Sequence, residues 1–372
     1  MAKYKLGDIC EIVSGSTPKT SIEEYWDGDI KWITPAEIND DTYIVTDSVR
    51  KITDLGAKKT GLSPFPEGTV ILSSRAPIGK VAIAGCTMCC NQGFKNLICS
   101  EKILNKYLYW FLKGNTSFLN SLGRGATFKE ISKSIVSQIE INVPGIEYQK
   151  EAVDILEKVS EVISLRKQEL TALDDLIKAR FVELFGDPST NPRGWDETTI
   201  SDECFYIKDG PHKSLTDIGK ENGGHPFISV RNIVNGHIDF STARYISDED
   251  YADAIKKCHP EKGDMLYSKG GTTGIAKLID IDEEFANWVH VAVLKFDKSR
   301  LNGVFFENML NGSYCYEQSQ RLTKGIANRD LVLSAMAQIK LYCPPMELQN
   351  QFADFVNQVG KSKFMYRTEN EK

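Results

Sequence analysis

Two segments of this sequence combine side chains that hydrogen-bond to phosphates and base edges. One is Ser73-Ser74-Arg75-Ala76-Pro77-Ile78-Gly79-Lys80 and the other is Ser268-Lys269-Gly270-Gly271-Thr272-Thr273-Gly274. Each follows an apolar run that predicts a buried strand, and each offers hydroxyl groups, a cation and glycine. The candidate contact residues in and around them are Thr34, Arg75, Lys80, Gln92, Lys129, Ser229, Arg231, Asn232, Lys269, Thr272, Thr273 and Arg329.

Some of these side chains have a structural interpretation as well. Arg75 stands beside a proline turn, where an arginine can brace the loop instead of contacting a ligand. Lys129 and Arg329 follow Gly125 and Gly325 at the same spacing, which favours a shared role such as binding phosphate. The alternative is that both glycines are turn residues and both cations are solvated.

Catalytic motifs do not appear in the sequence. There is no Gly-x-x-x-x-Gly-Lys-Ser/Thr phosphate loop, and the single Pro-Pro pair, Pro344-Pro345, is not part of the Asn/Asp-Pro-Pro-aromatic motif of adenine methyltransferases. The five histidines lack His-Glu-x-x-His spacing. Cys86 and Cys89 have ligand spacing but no second pair follows, so buried thiols are favoured over zinc. We expect a non-enzymatic chain without metal or cofactor.

The elements that must position these residues are duplicated. Over the carboxyl-terminal part of each copy, residues recur 200 positions later: Gly125, Lys129, Ile131, Ser134, Gln138, Ile139, Pro144, Glu147 and Gln149 match Gly325, Arg329, Leu331, Ser334, Gln338, Ile339, Pro344, Glu347 and Gln349. Upstream the offset is 195, for example from Ile33 to Ile228 and from Gly79 to Gly274. So long a period indicates a duplicated domain and not a solenoid repeat.

Length and composition agree with two soluble domains. The chain has 372 residues, 41% of them hydrophobic and 26% charged, and contains neither a run of 18 apolar residues nor a signal-peptide core. Nine cysteines in irregular spacing favour reduced thiols. We therefore expect a cytoplasmic protein. The net charge of −6 does not itself predict a nucleic-acid partner, although cations cluster locally in the first copy: Lys31, Arg50, Lys51, Lys58, Lys59, Arg75, Lys80 and Lys95.

A long helix is predicted between the copies, from Ile146 to Phe185, where neither glycine nor proline occurs. Pro144 precedes it and Gly186 follows it. Its length of about 60 Å suits a rod between domains. Alternating steps of four and three select a heptad seam: Ala152, Leu156, Val159, Ile163, Arg166, Leu170, Leu173, Ile177, Arg180 and Leu184.

A seam of this kind needs a partner helix, and the residues after Pro345 supply a candidate. Met346 to Val359 has helical apolar spacing, and Gly360 with the polar tail predicts that this helix ends early, leaving part of the seam open. The candidate partner-binding residues are Leu156, Ile163, Leu170, Ile177 and Phe355. The alternatives are an interdomain coiled coil without an outside partner and self-association through these helices.

In several stretches along nearly its whole length, the chain resembles the specificity (S) subunit of type I restriction-modification systems. The matching stretches are Trp32-Ile33-Thr34-Pro35-Ala36-Glu37-Ile38, Ser74-Arg75-Ala76-Pro77-Ile78-Gly79, Asn91-Gln92-Gly93-Phe94, Gly125-Ala126-Thr127, Ile139-Glu140-Ile141-Asn142-Val143-Pro144 and Lys178-Ala179-Arg180-Phe181-Val182-Glu183-Leu184-Phe185-Gly186-Asp187. Their order around a helical spacer is more specific than any one of them.

The resemblance implies a non-catalytic reader of a split sequence in double-stranded DNA. It implies an α+β fold with two similar mixed α/β target-recognition domains, separated by long antiparallel coiled-coil helices. The predicted segments are target-recognition domain 1 (1–145), central spacer helix (146–187), target-recognition domain 2 (188–343) and a short C-terminal spacer helix (344–372). The implied partners are methyltransferase (M) subunits docked on the helices and restriction (R) subunits held through them, with no membrane.

The copies also depart from each other and from the family. Val289-His290-Val291-Ala292 stands near where the first copy has Asn91-Gln92-Gly93-Phe94, and Gly270-Gly271-Thr272 replaces Arg75-Ala76-Pro77. This divergence indicates two different half-sites. The short C-terminal helix puts docking of a second M subunit in doubt. The alternatives are a truncated S subunit acting as a dimer and a duplicated protein-interaction scaffold.

Overall fold

The computed structural model describes residues 2–75, 77–125, 129–326 and 328–368, with 364–368 described by their backbone alone. Ala76, Ala126 and Thr127 of the family motifs lie outside this description, as does the tail 369–372. The chain divides into two compact units, Met1–Leu165 (unit 1) and Arg166–Lys372 (unit 2). The four-segment division predicted above is a different partition of the chain and stays a prediction.

In its described residues, unit 1 has ten strands and the first six α-helices. The strands are β1 (Ala2–Lys5), β2 (Cys10–Ser14), β3 (Trp26–Ile33), β4 (Ile44–Val45), β5 (Arg50–Ile52), β6 (Val70–Leu72), β7 (Val81–Ala84), β8 (Cys89–Cys90), β9 (Lys95–Cys99) and β10 (Glu140–Val143). The helices are α1 (Leu6–Ile9), α2 (Asp54–Thr60), α3 (Asn105–Gly114), α4 (Thr116–Ser121), α5 (Lys133–Ser137) and α6 (Ile146–Phe185), the last continuing into unit 2.

Three sheets organise unit 1. Their strand orders are β2-β9-β6-β7-β4, β5-β3-β8 and β1-β10. β6 and β7 are apolar throughout and buried on both faces, so they form the middle of the large sheet. In β10, buried Ile141 and Val143 alternate with exposed Glu140 and Asn142, as expected for a strand with one solvated face.

The part of unit 2 that the structure describes has nine strands and six further α-helices. The strands are β11 (Glu197–Thr199), β12 (Cys204–Asp209), β13 (His225–Ile228), β14 (Arg244–Ile246), β15 (Met265–Ser268), β16 (Ala276–Leu278), β17 (Ala286–Asn287), β18 (Val291–Phe296) and β19 (Lys340–Tyr342). The helices are α7 (Ile200–Glu203), α8 (Asp248–Lys257), α9 (Gly303–Asn311), α10 (Ser313–Leu322), α11 (Leu333–Met336) and α12 (Met346–Thr368).

The sheets of unit 2 repeat those of unit 1. Their orders are β12-β18-β15-β16, β14-β13-β17 and β11-β19, which match β2-β9-β6-β7, β5-β3-β8 and β1-β10 strand for strand. A parallel pair recurs as well, as β3 with β8 and as β13 with β17. Trp32 and Phe227, at equivalent positions, are both about 3% exposed and belong to the cores of their units. The predicted duplication and α+β class are confirmed.

The long helix α6 has the bounds that the sequence predicts. Gly186 ends it in a left-handed conformation, with φ of 78°. Within unit 2, α12 runs antiparallel to the end of α6: Phe352 packs on Phe181 at 5.4 Å, and Lys363 further along α12 pairs with Asp174 earlier in α6. Across the described ranges, no helix combines the length and apolar character needed to cross a membrane.

The prediction that the C-terminal helix ends near Gly360 is wrong. α12 continues through this glycine to Thr368. A glycine inside a helix costs about 1 kcal/mol relative to alanine. Here Val359 on one side of it is buried, and Lys363 on the other side is ion-paired to α6, so packing offsets that cost.

Candidate nucleic-acid interface

Three loops meet at one place in each unit. We call them the strand-end loop (73–80 in unit 1, 268–275 in unit 2), the facing loop (91–94, 288–291) and the hairpin loop (124–130, 324–330), and together the loop cluster. In unit 1, the backbone N–H of Ser74 donates to Gly93 O at 2.7 Å, and Ile131 N donates to Ser74 O at 3.0 Å. Two of the stretches that carry the family resemblance, 74–79 and 91–94, thus become neighbours.

The same bonds hold the loop cluster of unit 2. Lys269 N donates to His290 O at 2.8 Å, and Leu331 N donates to Lys269 O at 2.7 Å. The bridges of the hairpin loop to the strand-end loop recur as well, between Arg75 and Glu130 and between Gly270 and Asp330. These bonds define which residues of the two units are equivalent.

The hairpin loop is closed by a pair of backbone hydrogen bonds in each unit. They join Arg124 and Glu130 at 3.0 Å and Lys324 and Asp330 at 2.9 Å. Gly325 has φ of 85°, and a Cβ on it would lie 2.2 Å from Asn328 O, so glycine is required there. The structure therefore accounts for the repeated glycine as a turn residue.

The hairpin cations remain available to a ligand. Lys129 and Arg329 are both exposed. Arg329 Nη2 bonds to Gln320 Oε1 and lies 3.5 Å from Thr273 Oγ1. A guanidinium with several donors keeps some of them free in this arrangement.

A lysine lies buried beneath each loop cluster and is neutralised by carboxylates. Lys95 Nζ is 3.2 Å from Glu130 Oε1, a carboxylate that Arg75 Nη1 also approaches at 3.9 Å. Lys269 Nζ lies 3.5 Å from Asp209 and 3.1 Å from Asp330. Both ammonium groups are committed to these acids in the free chain, which favours a role in bracing the loops.

Three candidate residues form caps instead of projecting freely. Thr34 N and Oγ1 donate to Glu37 Oε1 at 2.8 and 3.0 Å, and Ser229 N and Oγ donate to Asn232 Oδ1 at the same two distances. These are equivalent capping boxes at the ends of β3 and β13. Thr34, Ser229 and Asn232 thus shape the chain beside the loop cluster.

The other candidates differ in accessibility. Lys80 Nζ donates to Pro35 O at 2.8 Å, and Arg231 Nη2 donates to Thr242 O at 2.6 Å. Gln92 accepts a hydrogen bond from Thr17. Thr272 is exposed, whereas Thr273 is buried beneath Arg329.

Sequence reasoning named Arg50 only as one of the clustered cations and missed that Arg244 is its equivalent in unit 2. Arg50 stacks over the Trp26 ring, with Cζ 3.4 Å from the centroid, and Arg244 lies 5.7 Å over Trp288. Arg50 faces Trp32 across β5 and β3, and Arg244 faces Phe227 across β14 and β13, so the two positions correspond. An arginine held on an aromatic ring is oriented in advance for planar recognition. Alignment of the two copies in this register shows this pair.

The spacer helices are attached to their units in the same way. Gln149 Nε2 donates to Lys102 O at 3.0 Å and to Pro144 O at 2.9 Å, and its Oε1 accepts from Leu104 N at 2.8 Å. Gln349 makes the corresponding three bonds, to Arg300 O, to Pro344 O and from Asn302 N. Both side chains are fully buried.

A second attachment holds α6 in unit 1. Glu157 accepts hydrogen bonds from Tyr43 Oη at 2.5 Å and Lys106 Nζ at 2.8 Å. Partial burial opposes ionisation of Glu157, but these bonds outweigh it and lower its pKa. Burial, together with the neighbouring carboxylate, raises the pKa of Tyr43.

The seam residues fall into two groups. Leu156, Val159 and Ile163 are 39%, 50% and 52% exposed. Leu170, Ile177 and Phe355 are partly buried in unit 2. The predicted partner-binding residues of unit 1 thus form an exposed apolar stripe on α6, whereas Ile177 packs against the core of unit 2 and the Phe355 ring lies beside Arg180 of α6.

The Cys86-x-x-Cys89 pair has the spacing of zinc ligands. Cys89 and Cys90 are buried in β8, and burial raises the pKa of the Cys89 thiol to about 11. Over the residues that the structure covers, no group of three or more His, Cys, Asp or Glu side chains is placed to hold a metal ion.

Fold and loops together define a class of protein with two equivalent α+β units, each presenting one loop cluster and one attachment for a spacer helix. The chain belongs to the family of type I restriction-modification specificity subunits. The type I restriction modification DNA specificity domain matches residues 1–174 and 192–371.

Individual relatives agree with this assignment. The chain is 30% identical to the type I restriction enzyme MjaIX specificity subunit of Methanocaldococcus jannaschii, over 95% of this chain and 85% of that protein. The MjaVIII specificity subunit of the same organism is 21% identical, with 99% and 88% covered. The fold is similar to the crystal structure of a type I restriction-modification S subunit from M. genitalium, with a TM-score of 0.56 at 16% identity, covering 99% and 91% of the two chains.

Proposed function

We propose that this chain reads a bipartite DNA target for a type I restriction-modification complex. The observation that carries the proposal is the assembly of the same three loops in both units of a chain from the specificity-subunit family. Each loop cluster contacts one half-site. Because the side chains of the two clusters differ, the half-sites differ in sequence.

Cations of the hairpin loops and of strands β5 and β14 supply the phosphate contacts. Lys129 and Arg329 occupy equivalent exposed positions on the hairpin loops, and Arg50 and Arg244 are held on tryptophan rings. Phosphate contacts position a protein on DNA, whereas contacts with base edges give specificity. Arg75, Lys80, Gln92, Arg231 and Thr272 are the candidates nearest to the bases. The capped residues Thr34, Ser229 and Asn232, with buried Lys269 and Thr273, hold the loops in shape.

The helices carry the partners. The exposed stripe of α6, Leu156, Val159 and Ile163, is apolar surface that an M subunit can cover, and R subunits join through the M complex. Methyl transfer and cleavage then belong to those partners, and this chain acts in the cytoplasm without chemistry of its own.

Co-expression with the M subunit encoded beside it tests the proposal. Adenine methylation is mapped across the host genome by single-molecule sequencing. We expect one split motif with a fixed spacer. A stable complex with M that methylates no motif, and binds DNA no more tightly than M alone, would contradict DNA reading and favour a protein scaffold.

A further inference from the structure

Two differences between the units, far apart in sequence, occur at one point in space. Gly270 stands where unit 1 has Arg75, as shown by their common bridge to the hairpin loop. His290 stands where unit 1 has Gly93, because their carbonyl oxygens accept equivalent backbone hydrogen bonds. Gly93 O accepts from Ser74 N, the residue before Arg75, and His290 O accepts from Lys269 N, the residue before Gly270. Each unit thus has one side chain and one glycine in this pair.

The two residues of the pair compete for the same space. A Cβ on Gly270 would lie 2.0 Å from Nδ1 of His290 and 2.6 Å from its Cγ. Distances this short exclude any side chain at 270 while the imidazole stays in place. In unit 1 Arg75 carries the side chain, and a Cβ on Gly93 would press on Asn91 Oδ1 and Pro35 Cγ, both at 3.0 Å.

The imidazole of His290 retains hydrogen-bonding capacity. Its Nδ1 lies buried against Gly270 and has no hydrogen-bond partner within the described part of the chain. The ring packs edge-on against Trp288 at 4.9 Å, and that indole carries Arg244 on its face. The ring is only partly buried, and exposed Thr272 lies two residues from Gly270 in the strand-end loop. A partly exposed ring of this kind is well suited to contact a ligand.

The chemistry of the two side chains differs in a way that matters for base reading. A guanidinium offers only donors and makes bidentate contacts with guanine, whereas an imidazole presents two ring nitrogens of which one can accept when neutral. We infer that His290 is the specificity-determining side chain of unit 2. It takes the place that Arg75 holds in unit 1, although it belongs to the facing loop and not to the strand-end loop. The inference rests on the proposed function and names the side chain that makes the two half-sites different.

Single substitutions test it in the complex with M. The test compares R75A and H290A for genome-wide methylation, with H237A as the matched control, since His237 is an exposed histidine of unit 2 outside the loop cluster. We expect R75A to relax or weaken only the first half-site and H290A only the second, by about fivefold or more for a lost base contact. H237A leaves the motif unchanged.

An exchange of the pair gives a second readout that does not depend on loss of activity. G270R alone collides with the imidazole and lowers the Tm. The double substitution G270R/H290G removes the collision, restores the Tm and alters the second half-site while leaving the first intact.

Two results would overturn the inference in a complex whose wild type methylates a split motif. One is an H290A complex that keeps wild-type methylation at the second half-site. The other is an equal loss at every site together with a lower Tm, which would show that His290 only fills space. Absence of any split motif with the wild-type chain is a separate result and counts against the proposed function.

Discussion

At the scale of single residues, the copies use different chemistry at positions that their sheets make equivalent. Glu203, in α7 next to β12, is 3% exposed, and Ile9 occupies the equivalent place in α1. Arg300 Nε and Nη2 donate to the two oxygens of Glu203 at 2.9 and 2.8 Å. The hydrogen bonds from Arg300 outweigh burial and hold the pKa of Glu203 below its usual value. An ion pair in unit 2 thus replaces an apolar contact in unit 1.

This carboxylate makes the stability of unit 2 depend on pH. Because its folded pKa is depressed, its contribution is complete above the unfolded value of about 4.3 and is lost as pH falls through the folded pKa. Glu203→Gln should lower the free energy of unfolding by about 1–2 kcal/mol at pH 7, and the difference should shrink below about pH 4. Urea unfolding at the two pH values measures it. Glu197→Gln, which removes an exposed pair with Lys340, is the control. A difference that does not depend on pH would count against this account.

Residue-level sequence comparison succeeds where equivalent positions carry equivalent groups. Lys129 with Arg329 and Gln149 with Gln349 appear directly from the constant offset. This comparison fails for Gly270 and His290. Compared alone, position 270 shows only the loss of the arginine side chain of unit 1, and position 290 shows only a histidine in place of a glycine. Only the packing of the strand-end loop against the facing loop shows that the two changes occur side by side in space.

At the scale of elements, boundaries follow from the sequence when local signals and packing agree. Pro144 and Gly186 bracket α6, and neither glycine nor proline occurs from Ile146 to Phe185, so its bounds are predicted correctly. At Gly360 the local signal and the packing disagree, and packing on α6 extends α12 past the predicted end. The short strands β4, β8 and β17 are defined by their partners in the sheets and carry little signal of their own.

The buried glutamines fix the direction in which each spacer helix leaves its unit. Gln149→Leu leaves two carbonyls and one N–H without their partner, which should lower the free energy of unfolding of unit 1 by at least about 2 kcal/mol. Gln349→Leu should do the same in unit 2, and Gln168→Leu on the exposed surface of α6 should not. In the complex with M, both substitutions should also raise methylation at motifs whose spacer is one base pair too long or too short.

The spacer readout separates positioning from simple destabilisation. A variant that is merely less stable methylates fewer sites of the correct spacing, in proportion to the folded fraction. Loss of helix direction instead changes the ratio of incorrect to correct spacers at equal folded fraction. An unchanged ratio would mean that the glutamines contribute stability alone.

At the scale of the whole molecule, a net charge of −6 has to be reconciled with binding to a polyanion. Acidic residues outnumber basic ones along α6 and recur every three or four residues in its first half, whereas the loop clusters expose cations. Binding should therefore depend on a small number of local phosphate contacts. Each such contact releases counterions, so the logarithm of the affinity falls linearly with the logarithm of the salt concentration, by about 0.9 per phosphate contact.

The equivalent hairpin cations make this prediction quantitative. Lys129→Ala and Arg329→Ala should each reduce the salt slope by about one and weaken binding to matching and non-matching DNA alike, without changing the methylated motif. Lys178→Ala removes the same charge from an exposed site on α6 and should leave the slope unchanged. Fluorescence anisotropy of the complex with M, measured from about 50 to 200 mM salt, gives the slopes. Equal slopes for the wild type and both hairpin variants would show that these cations are solvated, and the phosphate contacts would then have to come from Arg50 and Arg244 on their tryptophan rings.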